Sequence, residues 1–223
     1  APKYLKNIAF VSIKLLERIL LKFAAGLITV NPSVAQNFKY LALTKIIFHN
    51  YPNISIIPTR ESLRPPDTQI VGLCRNKIVL GHTGALEPKR GMLIIPEIIK
   101  ELNKFTDIIF ICVGDIPDKF KNLFNEKIAD YGVVNSIIIT GYTDYYNVWR
   151  FISLFNIGII LYQPEVYNNF IGLPNKLFEY MYYGIPVIAP NFPEMKNIID
   201  AADCGLTVDP SDKNEIVFAI KSL

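Results

Sequence analysis

The stretch LPNKLFEYMYYGIP, residues 173–186, decides the fold, because it reads as a short helix with both ends marked. Pro174 suits a first helical position, where its missing N–H would be unpaired anyway. Gly184 suits the left-handed residue after the last turn, and Pro186 blocks continuation. At about 100° per residue, Leu177, Phe178, Met181 and Tyr182 share one side, which is expected to face the core; Lys176, Glu179, Tyr180 and Tyr183 share the other. At the start of such a helix, unpaired backbone N–H groups and the Lys176 ammonium make a place for an anion. Glu179, one turn deeper, is an acceptor for hydroxyls attached to that anion. On helix geometry alone, Lys176 and Glu179 also read as an ordinary i, i+3 surface pair.

Outward from this helix, apolar runs alternate with helical patterns. Strands are expected at 78–80, 107–113, 136–140, 157–161, 187–189 and 206–208, and helices at about 92–103, 119–131, 146–154, 194–201 and from Asp212 onward. Runs such as IIFICV (108–113) do not alternate, so both faces of those strands are buried. That implies a parallel sheet with helices on each side, an α/β, Rossmann-like lobe over 77–223. Upstream, Pro52, Pro58, Pro65 and Pro66 fall in a stretch with few apolar runs, and an inter-lobe linker is placed at 61–76. Residues 1–60 are expected to hold a helix at 12–25, a strand at 27–30, a helix at 32–41 capped by Asn31, and a strand at 45–48, the end of an incomplete first lobe. A chain that opens on Ala1 and stops inside a helical pattern at Leu223 is expected to be part of a longer protein.

With 51% hydrophobic and 19% charged residues the chain has enough apolar content for a packed core and too little charge for disorder. No uncharged run reaches the roughly 18 residues a membrane-spanning helix needs. The three cysteines, Cys74, Cys112 and Cys204, lack the close spacing of a metal or redox site, and a reducing cytoplasm without disulfides is expected. Residues 1–60 hold eight Lys or Arg against the single acid Glu17, a balance of +7, so the remainder carries −4 of the net +3. Lys3, Lys6, Lys14, Arg18 and Lys22 interleave with Leu5, Ile8, Phe10, Leu15, Leu16, Ile19 and Leu20. This basic amphipathic pattern fits either peripheral contact with an anionic membrane at its inner face or a solvated domain helix. No RNA or DNA recognition motif accompanies the positive charge, so nucleic acid is not expected as a partner.

GLPNKLFEYM followed by GIPVIA (172–181 and 184–189) resembles the donor-binding segment of retaining glycosyltransferases of the GT-B fold, family 4 type. The resemblance implies that the loop and helix start hold the donor diphosphate and that Glu179 meets the donor ribose. Many members carry a second glutamate eight residues earlier, where this chain has Ile171. GLITVNPS (26–33) and IIFHNYPN (46–53) look like the end of the same family's N-terminal domain.

In parallel sheets ligands bind beyond the carboxyl ends of the strands. After the first strand of the lobe, GHTGALEPKRG (81–91) offers Gly84 for close backbone approach and Arg90 for phosphate oxygens. The family commonly shows Gly-Arg and then Lys-Gly at this spacing; here those basic positions are Ala85 and Arg90, with Lys89 as a replacement contact. His82 reads as a loop bystander or a phosphate contact, and Asp115 as a cap or solvated acid. In GYTD (141–144), the resemblance puts the nucleotide base near Gly141, where Tyr142 would stack; the alternative is a helix cap beneath a surface tyrosine. Glu165, Tyr167 and Asn168 fall in the loop expected beside the donor sugar. The expected catalytic set is Arg90, Lys176 and Glu179, and the expected substrate-binding set is Gly84, Tyr142, Pro174, Asn175 and Leu177. No metal and no cofactor beyond a nucleotide-sugar donor substrate is expected.

The function implied is transfer of a hexose-type sugar from a nucleotide sugar to a polysaccharide or lipid-linked acceptor, without activity in this chain alone. Its rivals are a sugar-nucleotide epimerase or phosphorylase on the same fold, and a non-catalytic partner that keeps the lobe for binding or scaffolding.

Overall fold

The computed structural model describes residues 3–223, with side chains from Ile8 onward. It divides into two compact units, one ending at Asn50 and one spanning Tyr51–Leu223. In the first unit, helix α1 (Lys3–Leu21) precedes strand β1 (Leu27–Thr29), short helix α2 (Pro32–Gln36) and strand β2 (Lys45–Ile47). β1 and β2 pair in parallel from Leu27↔Lys45 to Thr29↔Ile47. Asn31 caps α2 as expected, its Oδ1 accepting the Val34 N–H at 2.8 Å. Helix α1 begins nine residues before the expected start at 12, because no glycine or proline interrupts the upstream pattern. Arg18 lies over the Tyr40 ring at 5.0 Å. Among the described residues no helix is long and apolar enough to cross a membrane.

The second unit is an α/β lobe. After helix α3 (Thr68–Cys74) come β3 (Ile78–Thr83), α4 (Ile95–Leu102), β4 (Ile108–Val113), α5 (Asp118–Tyr131), β5 (Ile137–Ile139), α6 (Tyr145–Ile152) and β6 (Ile157–Ile159). Then follow α7 (Tyr167–Ile171), α8 (Asn175–Tyr182), β7 (Val187–Pro190), α9 (Pro193–Ala202), β8 (Gly205–Val208) and α10 (Lys213–Ser222). The six strands form one parallel sheet in the order β5-β4-β3-β6-β7-β8. The chain works outward from β3 to β5, then returns to lay β6 on the other side of β3. The sheet therefore has a switch point between β3 and β6, where the loops leaving both strands diverge and open a crevice.

The uninterrupted apolar runs bury both faces. Ile108, Phe110 and Cys112 of β4 pack with α4, α5 and α10, while Ile109, Ile111 and Val113 pack with α6, α8 and α9. Gly158 in β6 is required here, since a Cβ would overlap the ring of Tyr180.

Two expectations change. The stretch placed as a linker at 61–76 belongs with the second unit, whose boundary falls between Asn50 and Tyr51. It contains α3 and is strapped down: Arg150 donates to Arg64 O at 2.9 Å and Pro65 O at 2.6 Å, and just ahead of it Tyr183 Oη donates to Pro58 O at 2.7 Å. Four prolines marked a non-regular chain, but a segment whose carbonyls are claimed by lobe side chains is not a free spacer. The other change concerns α8, whose polar side turns inward: Lys176, Glu179, Tyr180 and Tyr183 are buried together with Leu177. Phe178 and Met181 are half-buried and Tyr182 is exposed. They line an apolar groove with Tyr51, Pro52, Ile54 and Ile198.

Candidate functional site

Helix α8 starts beside the switch point, and the sequence fixes where. Pro174 is its N-cap, in extended geometry (φ −76°, ψ 142°), not its first helical residue. The first backbone N–H groups, those of Asn175 and Lys176, precede any intrahelical acceptor; the Leu177 N–H already donates to Pro174 O at 3.1 Å. Gly184 follows the last turn at φ +63°, as expected. One turn after Lys176, the Tyr180 hydroxyl accepts the N–H of Thr83 at 3.0 Å and shares a hydrogen bond with Thr83 Oγ1 at 3.3 Å. The helix is thereby pinned to the carboxyl end of β3.

That pin brings Lys176 of α8 up to Gly84 and Arg90, two residues of the loop after β3. A Cβ placed on Gly84, which adopts φ +91°, would lie 3.6 Å from Arg90 Nη1 and 3.8 Å from Lys176 Nζ. Two cations thus converge on one exposed stretch of backbone, and the left-handed glycine keeps the space between them open. Arg90 is held by Ala85 O at 3.3 Å and by Glu87, whose Oε1 lies 3.5 Å from Nε. Tyr162, on the loop leaving β6, presents its ring to both, 5.7 Å from the Arg90 guanidinium and 5.5 Å from Lys176 Nζ. The β3 and β6 loops are also joined at Lys89, whose carbonyl accepts Gln163 N–H at 3.0 Å and Asn169 Nδ2 at 3.2 Å.

Lys176 and Glu179 are not a surface pair. Both are buried, and among the described residues no carboxylate comes within ion-pair distance of Lys176. Its Nζ lies 3.2 Å from His82 Nε2. Burial, and then the neighbouring Arg90 charge, bring Lys176 down to about 7. Glu179 is pushed up by burial, with Lys176 pulling the other way, and no hydrogen bond among the described residues reaches its carboxylate. Buried ionisable groups without an opposite charge beside them are uncommon in folded proteins, and where they line a crevice they mark candidate places for a ligand.

The expected residues divide accordingly. Gly84, Arg90 and Lys176 meet; Glu179 lies one turn along the same helix; Pro174 and Asn175 form its exposed or half-exposed start. Leu177 does not join them, because its side chain is fully buried in the core. Tyr142 is 91% exposed after β5, the edge strand two places from β3, and nothing among the described residues connects it to the cations. Asp144 caps α6 through the Asn147 N–H at 3.1 Å. Glu165 precedes α7, in which Tyr167 and Asn168 lie. Sequence reasoning missed Tyr162, an aromatic directly after an apolar strand at the switch point, and undervalued His82, which points into the sheet rather than into a loop. Among the described residues no cluster of three His, Cys, Asp or Glu could hold a metal ion.

The lobe is of the GT-B type, a six-stranded parallel sheet with its cations gathered at the switch point. The chain belongs to the family described as Glycosyl transferases group 1, whose model matches residues 77–223. It is 32% identical over 119 residues to a putative teichuronic acid biosynthesis glycosyltransferase, TuaH, of Bacillus subtilis (strain 168); the match covers 53% of this chain and 28% of that one. Among solved structures it resembles Anabaena HepE in complex with UDP and glucose, with a TM-score of 0.74 at 17% identity over 95% of this chain and 56% of that one. It also resembles the sucrose-phosphate synthase of Thermosynechococcus elongatus, with a TM-score of 0.69 at 15% identity, covering 93% of this chain and 51% of that one. The chain thus spans about a quarter of the curated relative and about half of these solved structures.

Proposed function

We propose that this chain carries the donor half of a retaining glycosyltransferase, which moves a hexose-type sugar from a nucleotide sugar to a polysaccharide or glycolipid acceptor. The observation that carries the reading is the convergence of Arg90 and Lys176 on Gly84, with an unpartnered Glu179 one turn away. In this reading the donor diphosphate lies over Gly84 and the Pro174–Asn175 start of α8, between the two cations. At an effective dielectric near 20, unit charges about 4 Å apart attract by about 4 kcal/mol. As the anomeric bond breaks, charge grows on the departing diphosphate, so Arg90 and Lys176 favour the transition state over the ground state. Glu179 accepts hydrogen bonds from the donor ribose, Tyr142 stacks on the base, and Leu177 serves only to anchor the helix. The reading uses no metal and no further cofactor.

The same reading places the protein in the cytoplasm, with the exposed basic side chains Lys14, Arg18 and Lys22 of the first unit turned to an anionic membrane. The 223-residue chain is expected to bind nucleoside diphosphate without transferring sugar, because an acceptor must be positioned by the rest of the cleft. Calorimetry with UDP, GDP, ADP and dTDP tests binding by the chain itself. Product analysis of the longer protein with a panel of nucleotide sugars tests the chemistry. Sugar moved to an acceptor supports transfer, an isomerised sugar nucleotide supports an epimerase, and an unchanged donor supports a non-catalytic binding role.

A further inference from the structure

We infer that His82 and Lys176 form a buried proton-accepting pair, in which Lys176 gives up its proton above neutral pH while the crevice is empty and takes one up from the solution when a nucleoside diphosphate enters. The inference rests on the donor-site reading and adds to it a charge state and a positioning residue. It begins from geometry. His82 is 1% exposed on β3, and its Nδ1 lies 3.2 Å from Ile159 O, an acceptor only. Nδ1 therefore carries the hydrogen, and Nε2 offers its lone pair to Lys176 Nζ at 3.2 Å. The bond forms whether Lys176 is an amine or an ammonium, so His82 holds the direction of Nζ in both states.

The surroundings set which state the empty crevice prefers. From the loop after β3 comes the Arg90 guanidinium, already engaged with Glu87. From β4 comes the Cys112 thiol, which burial pushes up to about 12 and so keeps neutral. From the loop after β6 comes the Tyr162 phenol, raised by burial. From α8 itself come the Tyr180 phenol, bound to Thr83, and Glu179, whose carboxyl is raised by burial. Burial and the Arg90 charge thus oppose an ammonium, while burial alone already holds His82 well below its ordinary range and keeps it neutral. An entering diphosphate brings negative charge against Nζ and reverses the balance. The step is a protonation only: the buffered solution supplies the proton, its acid form becoming the base form, and no bond to the ligand forms.

The test is titration calorimetry of the purified chain with UDP, and with GDP, ADP and dTDP, at pH 8 in two buffers of different ionisation heat. About one proton should be taken up per nucleotide bound, and affinity should fall roughly tenfold per pH unit above 7 until the bound-state value is passed. Lys176→Met should abolish the uptake. His82→Leu removes the acceptor that favours the ammonium, so the uptake measured at pH 7 should rise, a shift that a merely structural role would not produce. Binding by wild-type protein with no proton uptake at pH 8 would overturn this inference and leave the donor site standing. Failure of all four nucleotides to bind would instead overturn the donor-site reading and this inference with it.

Discussion

Two short helices of the same lobe treat their charges in opposite ways. At α10, Asp212 caps the N–H groups of Asn214 and Glu215 at 2.8 and 3.1 Å, Glu215 accepts the Asp209 N–H at 3.1 Å, and Lys213 pairs with Glu97 at 2.9 Å. Every charge in that first turn has a partner in the protein. At α8 there is no side-chain cap and no acid in the first turn, and Lys176 and Glu179 are buried without an ion pair. The α10 arrangement needs nothing further. The α8 arrangement carries the desolvation penalty of two ionisable groups and recovers it only when something else enters, which separates a structural terminus from a candidate site on physical grounds.

The sharpest way to break this contrast is Lys176→Met in the longer protein. Turnover should fall about 100- to 1000-fold, as expected when a group that stabilises transition-state charge is removed. Unchanged turnover would place α8 with α10. Next, Glu179→Ala should weaken nucleoside diphosphate binding by about 1.5 to 3 kcal/mol, the range for hydrogen bonds to a charged group, and calorimetry reads it directly. In the protein without ligand the sign reverses. Because the folded state holds the Glu179 proton above the ordinary carboxylate range, its charged form opposes folding, and wild-type stability falls as pH rises through that interval. Glu179→Gln should therefore melt higher than wild type at neutral pH, with the gap closing on acidification.

The pin is tested by Tyr180→Phe, which leaves the buried Thr83 N–H without its acceptor and should lower stability by about 1 to 3 kcal/mol in denaturant melts. Lys176 contributes its own pH dependence. Its folded value of about 7 lies below the unfolded 10.5, so the folded state sheds a proton first and stability rises with pH across that window; Lys176→Met should flatten the rise. The smallest effect is expected from Glu97→Gln at α10, where the Lys213 pair is partly exposed and screened. Nucleotide affinity should not change, and a large loss there would undo the contrast.

The sheet was legible because continuous apolar runs such as 108–113 allow little besides a strand covered on both faces, and all six expected strands occur. Arg90, Lys176 and Gly84 were singled out from local chemistry and a family resemblance. What periodicity hid was the orientation of α8. An amphipathic pattern assumes that the apolar side faces the core, but a helix at a switch point has protein on two sides. There the tyrosine hydroxyls find partners in the protein, Tyr180 on Thr83 and Tyr183 on Pro58. His82 was undervalued for a similar reason, since its partners Ile159 and Lys176 are 77 and 94 residues away. The strap at 58–65 was illegible because its order comes from Arg150 on α6 and Tyr183 just after α8, both distant in the chain.

The hydrogen bond between Tyr180 and Thr83 has a consequence for rates. It ties the second turn of α8 to the end of β3, so the loop bearing Gly84 and the helix bearing Lys176 are held together. The conformational entropy of bringing the two cations together is lost once, when the lobe folds, and not again at each encounter. A ligand that fits between them then meets a rigid receptor, and its association rate is set by diffusion and orientation rather than by a wait for the lobe to rearrange.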